Sequence, residues 1–122
     1  MTTALVIDDN KQTTDALIQM LKIFEINARA ALGPGAAMKI LGEATPNIVF
    51  LDINMPGVDG FEVLSYLRRE PRLSGVPVIV VTSDDQPETA QQAIAGGANA
   101  VVLKPVMAGI LEAALRATGI LK

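Results

Sequence analysis

Runs of β-branched and aliphatic residues recur along this chain, each followed by a segment of helical spacing, and that alternation limits the fold more than any other feature. ALVID (4–8), NIVFLDI (47–53), VPVIVVTS (76–83) and NAVVLKP (99–105) are nearly unbroken by polar residues. A strand exposed on one face alternates apolar with polar, whereas a strand covered on both faces does not, so these runs predict parallel strands. A weaker fifth run, INARAAL (26–32), alternates more and suits an edge strand. Between them, residues 11–24 put Leu17, Met20, Leu21 and Phe24 on one helical face. Residues 35–43, 59–69, 87–95 and 106–117 follow similar patterns, and turn signals such as GPG and GGAN separate the elements. The alternation predicts one α/β domain, a doubly wound (βα)5 unit with a parallel five-stranded sheet.

At 122 residues the chain suffices for one core. Its only aromatic residues are Phe24, Phe50, Phe61 and Tyr66, so Val, Ile, Leu and Ala must fill that core. Met20, Met38 and Met107 fall in apolar helical stripes and are expected to join it. The chain has neither cysteine nor histidine, which excludes disulfides, thiolate chemistry, imidazole metal ligands and Ser-His-Asp catalysis. A net charge of −3 argues against direct nucleic-acid binding. The N-terminus lacks the basic region of a signal peptide and the apolar runs are strand-length, so no membrane insertion and a cytoplasmic location are expected.

In an open parallel sheet, ligands bind beyond the carboxyl ends of the strands. Those ends carry Asp8 and Asp9, Asp52, Thr82 and Ser83, and Lys104. Three carboxylates gathered on one rim call for a hard cation, and Mg²⁺ favours a few carboxylates with phosphate oxygens and water. A carboxylate can also act as a nucleophile and form an acyl phosphate. Phosphoryl transfer then needs mainly positioning and charge stabilisation, which a cation, Lys104 and the Thr82 hydroxyl could supply. Taken singly, each residue has a plainer use: Asp8–Asn10 as a helix cap, Asp59-Gly60 as a turn and helix start, Thr82 as a strand residue, Lys104 as a solvated lysine.

The set DD (8–9), LDINMPGVDG (51–60), VTS (81–83) and KP (104–105) resembles the receiver domain of two-component response regulators along essentially the whole chain. The resemblance implies a flavodoxin-like sheet of order 2-1-3-4-5 and a cis bond at Lys104–Pro105. It implies that Asp52 takes a phosphoryl group from a phosphohistidine of a sensor histidine kinase or histidine phosphotransfer protein. Asp9, Asp52 and the Asn54 backbone carbonyl would ligate Mg²⁺, with Asp8 acting through water. Lys104 and Thr82 would bind phosphoryl oxygens, and Thr82, Ser83, position 101 and Pro105 would belong to the switch and output region. Such a domain phosphorylates and dephosphorylates itself and turns over no separate substrate.

One position departs from the family. Receivers commonly carry an aromatic residue three positions before the lysine, and here it is Val101. The last helix-strand-helix face also lacks an acidic pair. We expect Val101, Ala113, Ala117, Ile120 and Leu121 to contribute to an apolar contact surface there, for a homodimer or a downstream protein target. Ile18 is expected on the outer face of the first helix beside Thr14, as a contact for the phosphodonor.

Met1 and a complete final helix lead us to expect a free-standing receiver over 1–122 with no output domain. A pseudo-receiver that binds without being phosphorylated, and a receiver excised from a hybrid kinase or larger regulator, are the alternatives. A haloacid-dehalogenase-type phosphatase is disfavoured because Asn54 stands where its acid would be.

Overall fold

The computed structural model describes residues 1–122, apart from the side chain of Val58. Five strands form a parallel sheet: β1 (Thr3–Ile7), β2 (Asn27–Ala31), β3 (Ile48–Asp52), β6 (Val78–Thr82) and β7 (Ala100–Leu103). Their spatial order is β2-β1-β3-β6-β7. Numbered among themselves these five strands follow the expected order 2-1-3-4-5. The higher labels arise because β4 (Asn54–Met55) and β5 (Val58–Asp59) form a separate antiparallel ribbon that the sequence reading did not foresee.

The connecting helices are α1 (Lys11–Ile23), α2 (Pro34–Glu43), α3 (Gly60–Arg69), α4 (Pro87–Ala95) and α5 (Ala108–Ala117). Each begins or ends within two residues of the predicted span. β3 and β6 are buried along their whole length, as unbroken apolar runs require. β2 lies at an edge and alternates in exposure, as expected.

Two cores flank the sheet. On one face Phe50, Ile79 and Val81 pack with Leu17 and Leu21 of α1 and Leu111 and Leu115 of α5. On the other, Ile7, Leu51 and Val80 pack with Leu41 of α2, Leu64 and Leu67 of α3 and Ala93 of α4.

Three expectations are corrected by the packing. Thr14 is fully buried, its hydroxyl donating to the Lys11 carbonyl, which rotates the inner face of α1 toward Thr14, Leu17 and Leu21. Ile18 is consequently half-buried against the α1/α5 core rather than on the outer face. Met20 and Met38 do pack, half-buried, against the cores, but Met107 precedes the first turn of α5 and is 62% exposed.

Register brings the functional ends together. Ile7 pairs with Leu51, Asp52 with Val81 and Thr82 with Leu103, so β1, β3, β6 and β7 finish at one rim. Gly60 lets α3 start hard against β3, because a Cβ there would lie 2.5 Å from the Ile53 Cα.

Candidate functional site

Asp8, immediately after β1, is buried, and its two carboxylate oxygens have different tasks. Oδ1 accepts from the Asn10 N–H at 2.9 Å, and Oδ2 accepts from Lys104 Nζ at 2.8 Å. Helix capping, the plainer reading of this stretch, falls to Asn10, whose side chain accepts from the Thr13 N–H. Asp9 is exposed.

Asp52 closes β3 and is 3% exposed. Its Oδ1 accepts from the Asn54 N–H at 3.0 Å, and its Oδ2 lies 3.4 Å from Lys104 Nζ. Burial is the main force raising the Asp52 pKa. The Asn54 N–H and Lys104 oppose it, while the neighbouring Asp8 charge adds to it, and the net direction is upward. For Lys104, burial disfavours the charge, but the Asp8 hydrogen bond and the charges of Asp52 and Asp8 outweigh it, so its pKa rises.

Oxygen atoms of Asp8, Asp9 and Asp52 all lie within 4.8 Å of one another. Lys104 is the one ammonium the ion pairs show against this cluster among the described residues. An all-oxygen, net-negative donor set of this kind suits a hard divalent cation.

Thr82 ends β6 fully buried. Its Oγ1 accepts from Asn54 Nδ2 at 3.0 Å and from the Asp84 N–H at 3.0 Å. Asp84 in turn accepts from the Gln86 N–H at 2.9 Å and the Thr89 hydroxyl at 2.6 Å, contacts that hold its carboxyl below the usual range, the Thr89 bond contributing most. Asn54 and Asp84 are positions expected, from the resemblance, to tune hydrolysis of the phosphoryl group, but their bonds to Thr82 and the contact of Asp84 with Thr89 were not foreseen. DDQPET, an acid shortly before a proline at a helix start, was the available signal for the Asp84–Thr89 contact.

The structure thus brings Asp8, Asp9, Asp52, Asn54, Thr82 and Lys104 together. The Lys104–Pro105 bond is cis, as expected, and Pro105 is exposed. Ser83 is exposed just beyond Thr82. Val101 is half-buried against the core shared by α2, α3 and α4.

The sequence profile of the response regulator receiver domain matches residues 4–116. The chain belongs to the receiver-domain family. It is 33% identical over 118 residues to transcriptional regulatory protein AfsQ1 of Streptomyces coelicolor, covering 96% of this chain and 51% of that one. Protein PilH of Pseudomonas aeruginosa is 30% identical over 106 residues, covering 87% of this chain and 88% of PilH. A solved receiver domain of a DNA-binding response regulator from Colwellia psychrerythraea superposes with a TM-score of 0.90 at 26% identity, covering 99% of this chain and all of that one. The receiver spans about half the length of AfsQ1 and a smaller share of several other curated relatives.

A receiver is a phosphoacceptor signalling module of two-component systems rather than a metabolic enzyme. Its acidic pocket here is the cluster of Asp8, Asp9 and Asp52. Receivers in general act with histidine kinases and downstream targets.

Proposed function

We propose that Asp52 is the phosphoacceptor of this receiver, acting in the cytoplasm, and that its donor is a phosphohistidine on a sensor histidine kinase or histidine phosphotransfer protein. The observation that carries this reading is the placement of the buried Asp52 carboxylate beside Lys104 and the acid pair Asp8-Asp9 at the strand-end rim.

An Asp52 oxygen attacks phosphorus, a P–O bond forms and the P–N bond breaks. The imidazole, protonated at its other nitrogen, leaves as a neutral ring. The Asn54 N–H orients the nucleophile by holding Oδ1. Lys104, already between Asp8 and Asp52, turns its ammonium to a phosphoryl oxygen. Thr82 has its oxygen occupied by two donors, which leaves its own O–H to give to the phosphoryl group. Asp9 and Asp52, with the Asn54 carbonyl and with Asp8 through water, would hold Mg²⁺, which supplies positive charge to the phosphoryl oxygens.

The donor docks in a groove of about 470 Å³ beside the site, lined by Thr13, Ala16 and Met20 of α1 and by Pro105 and Val106. Ile18 lies outside that lining, so Ala16 and Met20 take over the docking role first expected of it. The output surface remains on the last helix-strand-helix unit with altered membership. Val101, Ile120 and Leu121 pack against the cores, whereas Ile94, Leu103, Met107 and Ile110 are about half exposed or more. These four, with Ala113 and Ala117, offer apolar surface to a downstream protein or a second copy.

The test is transfer from a panel of histidine-phosphorylated donors. Label should move to the receiver as a hydroxylamine-sensitive acyl phosphate. Label that never leaves any donor would refute the reading.

A further inference from the structure

A switch needs an element with two arrangements, and the short side chain of Val101, fixed against the core on a strand, leaves little room for one. The hydrogen bonds around Thr82 suggest where the signal goes instead. Both bonds to Thr82 Oγ1 are accepted ones, so its O–H is free to donate, and any shift of Oγ1 toward a phosphoryl oxygen pulls on the Asp84 N–H bonded to it. Asp84 continues the chain: its Oδ2 accepts from the Thr89 hydroxyl in the first turn of α4, and its Oδ1 from the Gln86 N–H at the helix entrance. Gln86, the N-cap residue, makes no side-chain cap bond of its own, so Asp84 provides that anchor from two residues upstream.

The helix at the end of this chain is held loosely by its core. Among its residues only Ala93 is fully buried, while Ile94 is 51% exposed. Its other end is fixed. Arg68 of α3 donates from Nε to the Gly97 carbonyl at 2.9 Å and from Nη2 to Asn99 Oδ1 at 3.1 Å, and Asn99 Oδ1 also accepts from the Val78 N–H. The helix therefore has a firm pivot at its C-terminus and a hydrogen-bonded handle at its N-terminus.

We propose that the Thr89–Asp84 hydrogen bond couples Thr82 to α4, carrying the phosphorylation state of the site to the output face in place of an aromatic side chain at position 101. Thr89 is a positioning residue: it touches no reacting atom and acts through Asp84 and Thr82. This inference rests on the phosphoacceptor reading above and assigns the regulation of that site.

The experiment uses the whole 122-residue chain. Beryllofluoride with Mg²⁺ serves as the phosphoryl mimic, its binding followed by ¹⁹F NMR and the response of residues 87–95 by amide hydrogen exchange. Wild type should bind the mimic and change its exchange in α4. Thr89→Val should keep the bound ¹⁹F signal and lose the α4 change, and Thr89→Ser, which keeps the hydroxyl, should restore it. An undiminished α4 response in Thr89→Val, or a wild type that binds the mimic without any α4 response, overturns the coupling alone. A wild type that binds no mimic defeats the phosphoacceptor reading, and the coupling falls with it.

Discussion

Lys104 sits closer to Asp8 than to Asp52: its Nζ is 2.8 Å from Asp8 Oδ2 and 3.4 Å from Asp52 Oδ2. The ammonium is thus held mainly by the neighbour of the proposed nucleophile. That leaves Asp52 partly compensated, buried beside another carboxylate, and raised in pKa.

Removing the ammonium should be costly. Lys104→Met leaves the buried Asp8 and Asp52 without their cation, and breaking a largely buried ion pair from one side costs about 3 kcal/mol. Urea unfolding without divalent ions should show a loss of that order. An unchanged midpoint would mean that the carboxylates are compensated in another way.

The pH dependence follows from the raised Asp52 pKa. Its carboxyl binds a proton more tightly folded than unfolded, so the stability it contributes is full below the unfolded value near 3.8 and is lost as pH rises through the higher folded value. Asp52→Asn, which removes the charge at similar shape, should therefore be more stable than wild type at neutral pH without divalent ions. The gap should close as the pH is lowered through the Asp52 transition. Thermal unfolding of both proteins across that range checks the sign.

A divalent cation should reverse the balance at the acid cluster. Mg²⁺ should stabilise the wild type, by about 2.7 kcal/mol at a hundredfold excess over its dissociation constant. Asp9→Ala should lose most of that gain, because it removes the exposed member of the cluster while sparing the Asp8–Lys104 pair. Melting temperatures with and without Mg²⁺ would read this directly.

Away from the site, Gly97→Ala should destabilise the fold by about 2 kcal/mol. Gly97 has a φ of +109°, and a Cβ there would lie 2.8 Å from Arg68 side-chain atoms. The substitution should also disturb the pivot of α4, which amide exchange at Asn99 and Val78 would report.

The strands were legible because burial on both faces leaves nearly unbroken β-branched runs, as in β3 and β6. The site was legible for a related reason: Asp8, Asp52, Thr82 and Lys104 end or follow runs that are otherwise apolar, where a polar residue stands out. Pattern alone misjudged residues whose polarity is satisfied locally or whose neighbours come from afar. Thr14 reads as a surface residue, yet its hydroxyl is satisfied by the Lys11 carbonyl and the side chain is buried, which displaces Ile18. Arg68 draws no reading of its own within the helical stretch YLRR, yet it donates to the carbonyls of Ser74, Val76 and Gly97, which lie beyond its helix. The Asn54–Thr82 bond joins two strand ends and has no local sequence signature.

The central claim is that Asp52 accepts a phosphoryl group, and intact mass tests it most directly. The protein is incubated with Mg²⁺ and acetyl phosphate beside an Asp52→Ala control. The account predicts one added phosphoryl group in wild type and none in the variant or without Mg²⁺. An unmodified wild type, or an equal addition to Asp52→Ala, would contradict it.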